Sequence, residues 1–228
     1  MRKTIVITAA ALSGISIAVS LYLSRQKQYL ASRVRHYSKH GQLSPSTPRN
    51  ISSLPTEVFS SKCYAVYDYA SIATPRHALP DLELRQLLTV LLRRNMTSFA
   101  RLPQARLLKL MAPDPEAQQS FDPAHIETLE FGEGDLVCNG YRVKLRTDEK
   151  VEFEFQLGIQ GRLVMSVEAE GDEVVFHNET LMIREEDSKT KLPLENGLAN
   201  WFHELTAWWM LESGVNYLKG LKGENYTA

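Results

Sequence analysis

From Tyr141 to Ile183 apolar and polar side chains take turns along the chain. Tyr141, Val143 and Leu145 alternate with Arg142, Lys144 and Arg146; after the turn TDEK, Val151, Phe153, Phe155 and Leu157 alternate with Glu152, Glu154 and Gln156. Successive strand side chains point to opposite faces, so this pattern predicts hairpin-linked antiparallel strands with one wet face. The Arg/Lys row and the Glu row then face each other across the first hairpin. A strand at 163–170, a tight Gly171-Asp172 turn and a strand at 173–183 continue the meander. Upstream, CYAVYDYASI at 63–72 predicts a first strand, and TLEFGEGDLVCNG from residue 128 a strand with a glycine bulge or turn.

Between those strands the period is helical. Asp81 is placed to cap a helix from Leu82, on which Leu84, Leu87, Leu88, Leu91, Leu92 and Phe99 form one apolar stripe. Pro103 ends it and opens a second helix, QARLLKLM; APDPEAQQSFDP reads as a loop. Pro193 is expected to open a last long helix. On it Leu198, Trp201, Phe202, Leu205, Trp208, Trp209 and Val215 fall on one broad arc, with His203 off the arc. An arc with three indoles needs a large apolar partner, and the inner row of the sheet (Tyr141, Val143, Phe153, Phe155, Met165, Val167, Phe176) is the surface on offer.

The expected fold class is therefore α+β: an antiparallel β-meander curved around a long C-terminal helix, a helix-grip, with an N-terminal transmembrane helix. The element order, strand, helix pair, long meander, long terminal helix, resembles the START-like superfamily of lipid carriers and polyketide-cyclase-type proteins. That resemblance covers roughly residues 60–220 and implies a cavity between sheet and helix for an apolar small molecule. It implies no fixed catalytic residue. The overall plan also resembles small membrane-anchored accessory proteins of fungal natural-product pathways, which implies a cofactor-free cyclase or cyclisation-assisting role. A passive lipid or sterol carrier and an interaction subunit of a membrane complex are the alternatives.

Charge divides the chain. Residues 1–56 contain eight Lys/Arg and no acid, whereas the remainder holds eighteen basic against twenty-seven acidic residues. An acidic folded part points away from nucleic acid, and a basic arm points to a membrane surface. Thr4–Leu23 is twenty residues without a charge, the length of a membrane-crossing helix. A signal peptide cut near AVS (18–20) and a mitochondrial presequence compete with this anchor. Ala10, Gly14 and Ala18 share one face of the segment, where a second membrane helix could approach closely. The expected layout is an anchor at 1–24, a basic juxtamembrane stretch and Ser/Pro tether at 25–57, a ligand-binding domain at 58–220 and a tail at 221–228. Localisation reads as a single-pass protein of the endoplasmic reticulum or another endomembrane, with a mitochondrial membrane as the lesser alternative. More positive charges follow the segment than precede it, which favours a cytosolic domain; sequons at Asn50, Asn95, Asn178 and Asn225 favour the opposite side.

Candidate chemistry is sparse. Glu212 lies within the tryptophan arc, where a carboxyl is paired, placed at a cavity mouth or kept protonated. Asn95 sits at the centre of the leucine stripe, and Asn178 and Thr180 share a face of the last strand with Phe176. These polar groups (Glu212, Asn178, Asn95) are the catalytic candidates. Trp201, Trp208, Phe155, Phe153, Tyr141, Met165, Phe176 and Thr180 are the ligand-binding candidates. A one-residue change of register would instead turn His177 and Glu179 inward as an acid–base pair. HELTA at 203–207 lacks the second histidine of a zinc helix, and Cys63 and Cys138 alone form no zinc site, so no cofactor or metal is expected.

Overall fold

The computed structural model describes residues 2–156 and 158–222, with side chains from residue 18 onward except at position 104. The protein is α+β. Helix α1 (Arg2–Arg33) leads directly into strand β1 (Arg35–Gly41). After an irregular stretch come β2 (Cys63–Pro75), α2 (Leu84–Ala100), α3 (Pro103–Leu110), α4 (Pro115–Gln119) and α5 (Pro123–Ile126). The chain finishes with β3 (Leu136–Val137), β4 (Tyr141–Arg146), β5 (Lys150–Phe155), β6 (Gln160–Glu170), β7 (Glu173–Glu185) and α6 (Gly197–Leu221).

The strands form one seven-stranded sheet in the order β1-β2-β7-β6-β5-β4-β3, antiparallel throughout. Both edges are poor templates for further pairing: β3 has two residues, and β1 is an exposed strand carrying Arg35 and Lys39. Successive side chains of β5, β6 and β7 point to opposite faces, but the second face is not the wet one expected: Glu152, Val164, Val175, Glu179 and Leu181 are buried on it. Leu157 lies outside the described residues. In β4 the register shifts between Val143 and Leu145. Arg142 faces Glu154 as the charge rows predict, but beyond the bulge Arg146 turns inward, where Nη2 donates to Thr89 Oγ1 of α2 at 2.8 Å.

Helices α2 and α6 cover one face of the sheet. The leucine stripe of α2 is buried there, with Leu87, Leu88, Leu91 and Leu92 at 0 % exposure. Glu83 rather than Asp81 opens that helix, its N–H donating to Gln86 Oε1 at 3.0 Å. Asp114 and Asp122, within the stretch expected to be loop, each cap a short helix. Pro193 starts only a 3₁₀ turn, and Asn196 caps α6 by accepting from the amides of Leu198 and Ala199.

Two expectations need correction. Residues 42–57, expected to be part of a tether, lie with 58–62 across the opposite face of the sheet, where Leu43 and Val58 join Tyr67, Tyr69, Leu181 and Ile183 in a second core. That face is therefore dry at its centre. The tryptophan arc of α6 is also rotated from its expected position. Trp208, Leu211, Val215 and Leu218 are buried, but Leu198 is 68 % and Phe202 45 % exposed, and Trp209 is exposed as well. His203, expected to point away, reaches the sheet.

Among the described residues no helix is long and apolar enough to cross a membrane. The expected anchor, Thr4–Leu23, falls mainly on residues whose side chains lie outside the description, as do Ala10 and Gly14; Ala18 is exposed. The sequon at Asn225 also lies outside it, whereas Asn95 is buried within α2.

Candidate functional site

The polar groups of the helix-covered face gather where the first half of α6 crosses β2 and β7. Asp68 is opposite Thr180 on β7 and Ser38 on β1, and Asn178 is opposite Ala70, so all five residues share that face. His203 Nε2 comes within 3.3 Å of Asp68 Oδ2. Burial pushes the Asp68 carboxyl up, but the neighbouring His203 and Ser38 side chains outweigh it and hold the group below its ordinary range. The space these residues enclose with Asn178, Thr180, Ala207 and Trp208 is about 10 Å³, the room of roughly one water.

The expected catalytic residues do not converge. Asn178 alone lines this space, with Thr180. Glu212 is paired: Arg33 Nε lies 3.3 Å away and Asn216 Nδ2 donates to it at 2.7 Å. Asn95 sits in the α2–α6 contact, accepting from Arg94 Nη1 at 2.9 Å, where Gly214 lets the two helices approach. These are packing and pairing roles, each set by a neighbouring helix.

The expected wall residues pack on one another. Tyr141 lies 5.6–6.3 Å from Phe99, Phe153 and Phe155 between ring centroids, and Phe131 caps Phe153 edge-on. Phe153, Phe176 and Met165 are core residues. Trp208 stacks on His36 of β1 at 4.3 Å, and Lys27 of α1 lies over both Trp201 and Trp208 at 5.2 and 5.3 Å. Among the described residues these rings fill the space between one another.

Helix α1 covers the indole end of this surface. Its last turns lie against α6: Lys27 Nζ meets Glu204 Oε2 at 2.5 Å, Asn200 Nδ2 donates to the other Glu204 oxygen, and Leu30 and Val34 enter the main core. No local pattern marks Lys27 and Glu204 as a pair, because 177 positions separate them. The run of helix former residues from Ser24 to Arg33 was the available signal.

The other face of the sheet holds a second polar group. His177 is buried between Tyr69, whose hydroxyl is 2.9 Å from Nδ1, and Glu168, 2.8 Å from Nε2. Burial lowers its pKa more than the neighbouring carboxylates raise it, favouring neutral imidazole. The Arg49 guanidinium stacks 4.5 Å above the Tyr69 ring, and these residues border an open depression of about 260 Å³ that Arg35 and Glu170 also line. Glu179 does not pair with His177; it accepts from Tyr67 Oη and from the amides of Arg49 and Asn50. Glu152, likewise fully buried, accepts from the amides of Ser52 and Ser53. Two carboxylates thus hold the 42–62 segment onto the sheet.

Reactive groups are otherwise muted. Cys63 and Cys138 are both free thiols, and burial pushes Cys138 up to about 12. No group of three His, Cys, Asp or Glu suited to a metal is found among the described residues. No family model, curated protein or solved structure matches the chain.

Proposed function

We propose that this chain is a single-pass membrane protein whose folded part is an interaction module held at a fixed attitude to the bilayer, a non-catalytic subunit of a membrane assembly. The observation that carries the reading is the continuity of α1. It runs unbroken from Arg2 to Arg33, and its last turns are fastened to α6 through Lys27–Glu204 and Arg33–Glu212. A helix that carries the apolar stretch Thr4–Leu23 therefore joins the domain without a slack linker. A carrier needs freedom to load and unload, whereas a subunit that presents one surface gains from a rigid mount.

Handling of a hydrophobic small molecule, by a cofactor-free cyclase or a carrier of helix-grip type, is the second reading. The strand order and the placement of Asp68, His203, Asn178 and Thr180 beneath α6 favour it, since those groups would serve as polar handles in an apolar site. It requires the first half of α6 to move off the sheet.

Native mass spectrometry of the full chain in detergent separates the two. A complex of defined protein stoichiometry with no small molecule supports the interaction module. A lone monomer carrying a copurified hydrophobic molecule overturns it in favour of the second reading.

A further inference from the structure

The first turns of α6 are turned inside out. His203 and Ala207 face the sheet, while Leu198 and Phe202, 68 % and 45 % exposed, face away from it. Exposing large apolar side chains while the polar face is turned inward is costly in water, so the outward face calls for a partner.

The attitude of α1 says what that partner is. Lys27 pairs with Glu204, and six residues further along α1 Arg33 pairs with Glu212, eight residues further along α6. Both pairs advance in the same sense, so the helices run parallel. At 1.5 Å per residue, Leu198 lies about 9 Å back from Glu204, and Leu21 lies the same distance back from Lys27. Leu198 is thus level with the end of the uncharged stretch Thr4–Leu23, where Val19, Leu21 and Tyr22 are themselves exposed. Exposed Arg25 stands about one turn further out, at the depth where a guanidinium meets lipid phosphate.

We infer that Leu198 and Phe202, together with Leu21 and Tyr22, form a collar that sits in the interfacial layer of a phospholipid bilayer, so that the N-terminal end of α6 rests on the membrane and its C-terminal end points away. The occupant of this apolar face is lipid. The inference rests on α1 being a membrane anchor, and it adds a second point of membrane contact that fixes the tilt of the domain.

The test uses the full chain with Cys63→Ser, carrying an environment-sensitive fluorophore at Leu198→Cys, Phe202→Cys or Gly220→Cys, in phosphatidylcholine vesicles containing one-fifth phosphatidylserine. Gly220 is exposed on the same helix, about 33 Å from Leu198. Circular dichroism verifies that each labelled variant is folded, and flotation verifies anchoring. Labels at 198 and 202 are expected to be quenched several-fold more by nitroxide-bearing lipid than the label at 220, which is quenched mainly from water. If the chain floats but all three labels respond only to the aqueous quencher, the collar is wrong and the anchor stands. If the chain does not float, both are wrong. If phosphatidylcholine alone gives the same depth, the collar is apolar in origin and Arg25 adds nothing to it.

Discussion

Glu152→Gln tests the latch that holds residues 42–62 to the sheet. The carboxylate is fully buried, accepting from Ser52 N at 2.7 Å, Ser52 Oγ at 2.8 Å and Ser53 N at 3.0 Å, with Lys150 Nζ at 2.9 Å. Glutamine keeps the shape and one acceptor oxygen, but its amide group confronts a donor where the second oxygen stood. Losing one charge-assisted bond in this way costs about 1.5–3 kcal/mol. Alanine leaves Lys150, which still donates to Asn50 O, without its carboxylate and the amides without their acceptor, for about 3 kcal/mol. The pH dependence has a definite sign. Burial pushes the Glu152 carboxyl up, but the Ser52, Ser53 and Lys150 hydrogen bonds more than offset it, so the folded group lies below its ordinary value of 4.5. Its contribution is therefore complete above 4.5 and is lost as pH falls through the folded value. Hydrogen exchange on the full chain in detergent, read for the peptide spanning 48–56, is the direct assay. Exchange should accelerate in Glu152→Gln at neutral pH, and the difference from the parent protein should shrink in acid. Unchanged exchange at Ser52 and Ser53 would refute the latch.

Gly214→Ala should destabilise by about 1–3 kcal/mol through overpacking, because its methyl would lie 2.5 Å from Leu91 Cδ1 and 2.7 Å from Asn95 Oδ1. Gly220→Ala, with nothing within 4 Å, should stabilise the same helix by about 0.5–1 kcal/mol; thermal melts of the two variants should move in opposite directions. A double-mutant cycle of Lys27→Met and Glu204→Gln should return a coupling of about 1–3 kcal/mol, and additivity would mean that α1 is not clamped there. Neutral His177 stabilises the fold above its ordinary value of 6.5, and this contribution is lost as pH falls through its lower folded value. The stability advantage of the parent protein over His177→Gln should therefore decline below pH 6.5, as urea titrations at several pH values will show.

Much of the architecture was written in the order of residues. The period-two pattern of β5 to β7, the leucine stripe of α2 and the long terminal helix are local signals, because each reports which side of one element meets apolar neighbours. The class, α+β with an antiparallel sheet, follows from them. The irregular 42–62 segment carries no such period: it is fixed by backbone amides, which every residue has, meeting Glu152 and Glu179 about a hundred positions away. The bulge that turns Arg146 inward is a change of one residue in register, invisible while the alternation continues. The rotation of α6 was equally hidden, since tryptophan, leucine and phenylalanine occur around much of its circumference. The docking of α1, through a lysine 177 positions away, together with α2 and the sheet, selects which of those residues are covered. Sequence determined the elements, for which the deciding contacts are within a turn or a strand. Tertiary structure decided what faces what, because burial and pairing depend on surfaces brought together from distant parts of the chain.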